Sequence, residues 1–422
     1  MSHLLMVESW VAAMSALLPR AIHETGHQFS FLTRDLHHYL RQSRQTPHPL
    51  LAARNVLTAE TNDIDALWPW LDRARDLIPF DGAITSCDYY LTTVARIAER
   101  YGLPGPRPEA IATCLNKDRS RAAFAAAGIP GPQIRAARDW PAARAAAEEI
   151  GYPVVIKPTD LCGGMLVRRV DDEAGLRAAY EQLAAATHNS RQQLRSPVVL
   201  IEEFLTGPEV SVESVTVGGA THVIGATDKS IVGDDCFVET GHMFPAALDD
   251  ETAGELADLA RAAVAAVGLT DCISHLEVKL TPHGPRIVEL NPRPAGNRIS
   301  ELIRRVTGID LACVHAQLAA GDEPDLRHRD TGLGSAAVHM LLPSKAGTVV
   351  AVTGVDRLRG GEVVEYVVPE PGARASAPRD NNCYLGRVMV VDPEGRGARS
   401  LAEGLVADLD IVIEADPSER TA

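Results

Sequence analysis

His275-Leu-Glu-Val-Lys-Leu280, then Thr281-Pro-His-Gly-Pro285, then Arg286-Ile-Val-Glu-Leu-Asn-Pro-Arg293 is the stretch on which the fold turns. Both halves alternate apolar and polar residues around a cluster of turn formers, so the stretch reads as a β-hairpin. A loop of Pro282-His283-Gly284, a type I turn closed by a left-handed glycine, sets Thr281 opposite Pro285, Glu277 opposite Glu289 and His275 opposite Asn291. Two carboxylates paired across one face of a hairpin repel each other unless a cation lies between them. Oxygen donors at this spacing suit Mg²⁺, and Arg293, just past the third donor, brings a guanidinium suited to anionic oxygen. The plain alternative is a polar row facing solvent.

Glu277, with Glu289-Leu-Asn291-Pro-Arg293 twelve positions on, resembles the metal-binding end of the ATP-grasp superfamily. Within it the pattern is similar to the carboxylate-amine ligases, especially the bacterial L-amino acid ligases that join two amino acids. The likeness runs over most of the chain. It implies an ATP-grasp fold of the α/β and α+β classes: an N-terminal pre-ATP-grasp α/β domain over residues 1–110, a small lid subdomain over 111–200, a large subdomain with the metal site over 201–330, and a C-terminal α+β lobe over 331–422. The metal ligands implied are Glu277, Glu289 and Asn291, with ATP and Mg²⁺ (Mn²⁺ in its place) as cofactors. The activity implied is amide formation, dipeptide-like, through an acyl phosphate with release of ADP and phosphate. Two other readings stay open, an ATP-grasp carboxylase working through carboxyphosphate and a non-catalytic nucleotide-binding protein. The second has no use for a buried like-charge pair.

The length of 422 residues leads us to expect roughly two to four subdomains. With 45% apolar and 23% charged residues the chain has the composition of a globular protein. A formal charge of −15 argues against nucleic acid as main partner, since phosphate backbones need a basic face. The seven cysteines are scattered without a C-x-x-C pair, so neither zinc nor a disulfide framework is expected, and a reducing cytoplasm fits. No apolar run reaches the about 18 residues a membrane span needs, and none resembles a signal peptide. The expected partners are a small-molecule carboxylate and an amine, with no nucleic acid and no membrane; the resemblance adds a homodimer.

Residues 4–7 and 28–33 read as strands around a helix over 12–24, a βαβ opening without the G-x-G-x-x-G of a dinucleotide site. Residues 82–87 read as a further strand and 89–101 as a helix; Asp88 stands where many members of the resembled family carry a glutamate, and by itself it reads as the helix cap. Lys157 stands in the apolar Tyr152-Pro-Val-Val-Ile-Lys-Pro158, where a lysine is rarely tolerated unless it meets an anion. The resemblance places Lys157 and Lys117 on nucleotide phosphates, although a lone lysine at a helix start is more often a surface charge. It assigns Leu161, Gly163 and Gly164 to a phosphate-covering flap, atypical because Leu161, Gly164 and Leu166 replace the usual glycine, serine and glycine. Glu202, Glu203, Phe204 and Leu205 become the adenine slot, and Glu209 the ribose contact. Asp171-Asp-Glu reads as a capped helix start, and the polar run 187–196 as a surface connection.

On the acceptor side the resemblance points to Glu239 for a substrate ammonium and to His242 for ordering a polar group or moving a proton, a structural histidine being the other option. Glu213 is read either as a substrate contact or as an outward polar residue. Arg293, Gly296 and Arg298 are close enough in sequence to clamp a carboxylate or its acyl phosphate, so Arg293, Lys157 and Arg298 are the expected catalytic residues. From Gly334 on, strands near 337–342, 362–368 and 386–391 and a final amphipathic helix form the last lobe, with Asn381-Asn382 read as a turn, the other option being that they reach substrate.

Overall fold

Parallel strands need crossover helices, and the N-terminal region is built that way. In the computed structural model, which describes residues 1–9, 14–42, 47–233 and 235–415, β1 (His3–Val7), β2 (Gln28–Thr33), β3 (Asn55–Thr58) and β4 (Gly82–Ile84) form a parallel sheet in the order β3-β2-β1-β4. The first helix runs from Met14 to Glu24; positions 12 and 13 of its expected span lie outside the described residues. The fourth strand ends at Ile84, short of Cys87, and a 3₁₀ turn at Asp88–Tyr90 precedes the helix Leu91–Tyr101. The Asp88 side chain caps nothing there, contrary to expectation.

Next, β5 (Ile134–Ala137), β6 (Val154–Pro158), β7 (Arg168–Val170) and β8 (Val199–Glu203) form an antiparallel sheet in the order β5-β8-β6-β7. The helices Trp140–Ile150 and Glu173–Ala185 cover it, with Ala143, Ala147, Leu176 and Leu183 meeting Ile156 and Ile201. Asp172 caps the second helix by accepting from the Gly175 amide at 2.7 Å, as its acidic cluster predicts.

Residues 187–196 are a surface connection only in part: Thr187, His188, Ser190, Gln192 and Leu194 are exposed, but Arg191 is not. Their bend carries Arg191, 5% exposed, into the strand ends of the N-terminal sheet. Arg34 and Asn62 side chains donate to the Arg191 carbonyl at 3.2 and 2.8 Å, Gln193 donates to the Tyr89 carbonyl at 3.2 Å, and the Arg191 guanidinium lies 5.1 Å from the Tyr39 ring centre. A polar run meets partners at the open end of a parallel sheet as readily as in water, so polarity alone misplaces it.

The remaining strands are β9 (Glu209–Val217), β10 (Ala220–Val232), β11 (Val238–Phe244), β12 (Cys272–Thr281), β13 (Gly284–Asn291), β14 (Ser335–Leu341), β15 (Gly347–Thr353), β16 (Val363–Val367), β17 (Arg374–Ala375), β18 (Gly386–Asp392) and β19 (Asp410–Glu414). Eight of them make one antiparallel sheet, β13-β12-β9-β10-β11-β14-β18-β16, and β15, β17 and β19 make a small sheet of their own. The large sheet thus joins strands from both sides of residue 330. The last helix, Ala398–Ala407, packs on it through Ala398 and Ala402 and is followed by β19.

Side chains alternate between faces with period two, and here the two faces differ. On one, Val210, Val212, Leu276, Val278 and Leu290 pack on the helix Asp250–Val267 through Leu256, Ala260 and Val264. On the other, Val215 and Ile273 lie in the core formed with the helix Ile299–Thr307, while Glu209, Ser211, Glu213, His275 and Glu277 follow at the far end. That polar end is the floor of the site. Among the described residues no helix is long and apolar enough to cross a membrane.

Candidate active site

The hairpin pairs Glu277 with Glu289 and His275 with Asn291, as the alternation predicts, but reaches that register by another route. Thr281 pairs with Gly284, so the loop is only Pro282-His283, with Gly284 at φ +91°. Val278 pairs with Ile287 and Glu277 with Glu289, which leaves Val288 as the extra residue of a bulge and restores the pairing. The Val288 carbonyl accepts from Arg121 Nη2 at 2.6 Å, and Arg121 Nε donates to Glu202 Oε1 at 3.0 Å. The bulge therefore ties the hairpin to β8 of the lid. Gly207, in the linker after β8, lies so close to the hairpin that a Cβ there would meet the Leu280 carbonyl oxygen at 2.1 Å; only glycine fits.

A cavity of about 920 Å³ opens over this floor. Of the substrate-side residues read from sequence, Glu213 and His242 do not line it; His242 lies behind Glu239, with Nε2 3.3 Å from Glu239 Oε2, and is fully buried. Among the described residues, Glu277 Oε2, Glu289 Oε2 and the Asn291 side chain have no hydrogen-bond partner. Three hard oxygen donors turned to one cavity match Mg²⁺ or Mn²⁺, so the residues present fit the implied metal.

Lys117, at the start of the helix Lys117–Ala126, places Nζ 3.0 Å from Glu289 Oε1 and donates to the Leu161 carbonyl at 2.7 Å. Lys157 on β6 lies 2.5 Å from Glu202 Oε2. Burial pushes the Lys157 ammonium down, against the pull of Glu202. Burial would raise the Glu202 carboxyl, yet Arg121 and Lys157 hold it down to about 2. Glu202 therefore acts through its side chain as the partner of two cations. The Glu203 amide is engaged by the Gln133 carbonyl at 2.9 Å. Phe204 and Phe237, ring centres 6.3 Å apart, both line the cavity, and Arg169 stacks over Phe204 at 4.8 Å. The flap is docked: the Asn381 amide donates to the Gly163 carbonyl at 3.4 Å, and Asn381 Oδ1 accepts from the Glu239 amide at 3.0 Å. Asn381 is thus more than a turn residue.

Sequence reasoning missed Lys229. It lies on β10 directly opposite Glu209, 1% exposed at its side chain, with Nζ 2.8 Å from Glu209, 3.0 Å from Glu239 and 2.8 Å from Glu277. Glu239, whose other oxygen also accepts from Asn297 Nδ2 at 2.5 Å, is kept ionised against burial chiefly by Lys229. Glu213 is neither outward nor at the cavity wall. Fully buried, it accepts from His275 Nδ1 at 2.9 Å and from Ser211 Oγ at 2.6 Å, while His275 Nε2 lies 3.1 Å from Glu277 Oε1. Burial disfavours charge on His275, but the two carboxylates raise it to about 10. The sequence offered only a lysine in an alternating strand; its pairing with Glu209 follows from the ladder register.

Arg293, Gly296 and Arg298, the residues of the expected anion clamp, all line the cavity, and both arginines are engaged by carboxylates. Arg293 Nε donates to Asp88 Oδ1 at 2.6 Å, and Arg298 pairs with Glu301 at 2.7 Å and Glu365 at 3.2 Å. Arg298 takes φ +70° at the start of the helix Ile299–Thr307, and Gly296 accepts from the Ile299 amide at 2.9 Å.

A four-stranded antiparallel sheet and a large antiparallel sheet meet at the cavity, with two buried lysines on one side and an oxygen-donor hairpin on the other. Residues 150–301 match the model of the ATP-grasp domain, and residues 339–414 match that of the L-amino acid ligase C-terminal domain 2. The chain belongs to the ATP-grasp superfamily, as a ligase related to the L-amino acid ligases. It is 31% identical to the uncharacterized protein y4rH of Sinorhizobium fredii (strain NBRC 101917 / NGR234), over 84% of this chain and 73% of that protein. It is 28% identical to the alanine–anticapsin ligase of Bacillus amyloliquefaciens over 60% of this chain, and spans only 57% of that relative's length. In fold it is similar to the crystal structure of an L-amino acid ligase from Bacillus licheniformis, with a TM-score of 0.80 at 20% identity, covering 98% of this chain and 99% of that one.

Proposed function

We propose that this chain joins the carboxylate of one amino acid to the amine of another in an ATP- and Mg²⁺-dependent reaction that passes through an acyl phosphate and releases ADP and phosphate. The observation that carries this reading is the Glu277–Glu289 pair with Asn291 in one cavity with Lys117, Lys157 and Arg293. Bound there, Mg²⁺ would supply charge neutralisation on the transferred phosphoryl oxygens.

The protein's part is to hold and orient. Lys117, Lys157 and the amides near Gly163 and Gly164 take the phosphates, Glu209 takes the ribose hydroxyls, and the Leu205 amide with the Glu203 carbonyl reads the base between the phenylalanine rings. Carboxylates suit hydroxyl donors and repel phosphate, which supports giving the ribose to Glu209. Arg293, with Arg298 and the backbone at Gly296, grips the acid carboxylate as it attacks the γ-phosphate. Glu239 receives a substrate ammonium, held in position by Lys229, Asn297 and His242 behind it. Charge develops on oxygens throughout, so fixed cations can supply most of the rate enhancement without a covalent enzyme nucleophile.

The test is a screen of amino-acid pairs read by phosphate release, followed by product analysis. ADP with phosphate, and a hydroxamate when hydroxylamine replaces the amine, are the expected products. AMP with pyrophosphate would overturn the mechanism, and ADP release driven by bicarbonate alone would replace the ligase with a carboxylase.

A further inference from the structure

The two carboxylates assigned to the metal are not bare. Lys229 Nζ lies 2.8 Å from Glu277 Oε1, and Lys117 Nζ lies 3.0 Å from Glu289 Oε1. The two lysines are placed differently. Lys117 lines the cavity, whereas Lys229 does not; it sits beneath the floor, where Glu209 and Glu239 share its charge at 2.8 and 3.0 Å.

Resting on the function proposed above, we infer that Lys229 is a resident counter-ion that makes metal binding conditional on nucleotide. An ammonium fixed on one oxygen of a carboxylate lowers the negative potential that a divalent ion meets at the other oxygen, and here both carboxylates carry one. A divalent ion arriving alone therefore gains little. A nucleotide changes both terms: its phosphates give Lys117 another anionic partner and loosen its hold on Glu289, and they supply further oxygen donors to the ion. Lys229 has no such exit, being enclosed by Glu209, Glu239 and Glu277. It stays in place as a positioning residue that sets how much help the ion needs.

The prediction has an unusual sign: removing a buried lysine should tighten metal binding. Mn²⁺ binding to the full chain is measured from the free-ion electron paramagnetic resonance signal, with and without ADP, for wild type and Lys229→Met. Wild type should bind Mn²⁺ weakly alone and far more tightly with ADP. Lys229→Met should bind Mn²⁺ without ADP about tenfold or more tightly than wild type, and ADP should add correspondingly less. Adding Glu289→Gln to Lys229→Met should abolish the gain, which ties it to this site. If Lys229→Met does not fold, Lys229→Met/Glu239→Gln, which also removes one of the three carboxylates, carries the same expectation. A variant that binds Mn²⁺ no more tightly than wild type overturns the inference, as does a wild type equally tight with and without ADP. A wild type that binds no Mn²⁺ even with ADP overturns the functional reading, and this inference with it.

Discussion

Asp88 Oδ1 lies 2.6 Å from Arg293 Nε, so the end of the N-terminal sheet and the residue just past the β12–β13 hairpin meet across 205 positions of sequence. Burial disfavours the Arg293 charge, and Asp88 more than restores it. Arg293 is assigned to the acid and phosphoryl oxygens, away from the adenine end. Arg293→Ala should therefore lower hydroxamate trapping about 100-fold or more while ATP affinity stays within about threefold. Equal losses in trapping and in calorimetric ATP binding would make the arginine a structural residue.

Glu289→Gln removes half of the paired charge and leaves the strand intact. The Mg²⁺ needed for half-maximal turnover should rise about 10- to 100-fold, with circular dichroism unchanged. Turnover at ordinary magnesium equal to wild type would take the hairpin out of the mechanism.

Lys157→Ala should weaken ATP binding by about 2–3 kcal/mol through loss of a charge-assisted phosphate contact. Glu202 would keep Arg121 at 3.0 Å, so the lid sheet should survive the change. Calorimetry that finds unchanged affinity would assign Lys157 to packing alone.

Glu202 gives a pH prediction of fixed sign. Its carboxyl is held at about 2, below its ordinary 4.5, so its stabilisation is fully present above pH 4.5 and is lost as pH falls from there towards 2. The wild-type melting temperature should fall across that window, and Glu202→Gln should flatten this part of the curve. At pH 7 the variant should be less stable by roughly 3–5 kcal/mol, because Arg121 and Lys157 lose their buried partner. An equally steep acid limb in the variant would show that other carboxylates govern it.

What could be read from sequence was chemistry that announces itself locally. Glu277 and Glu289 stood out because alternation set two like charges face to face, and Lys157 because an apolar strand had no other use for an ammonium. Lys229 made no such signal. Its meaning depends on standing opposite Glu209, and the β9–β10 ladder that brings this about shifts register between Val223 and Gly225, which alternation does not reveal. Asp88 and Arg191 were misread for a related reason: a short polar side chain near a helix start resembles a cap, a polar run resembles a surface loop, and only the packing of distant segments shows otherwise. His242 was read from the resemblance either as ordering a polar group or moving a proton or as a structural histidine, and the sheet turns it behind Glu239. The small sheet of β15, β17 and β19 escaped notice because β17 is only Arg374–Ala375.

Within the hairpin, the two-residue loop and the extra Val288 offset each other. Chain length can be traded between them without disturbing the chemistry, as long as Glu289 stays twelve positions after Glu277. For anyone aligning this region, a gap opened in the turn is harmless only if another closes at the bulge; a gap on its own would carry Glu289 to the wrong face. A motif search keyed to Pro282-His283-Gly284 would therefore lose sequences that a search keyed to the carboxylate spacing keeps. Loop grafting obeys the same arithmetic, and a longer turn should be paired with a regular ladder.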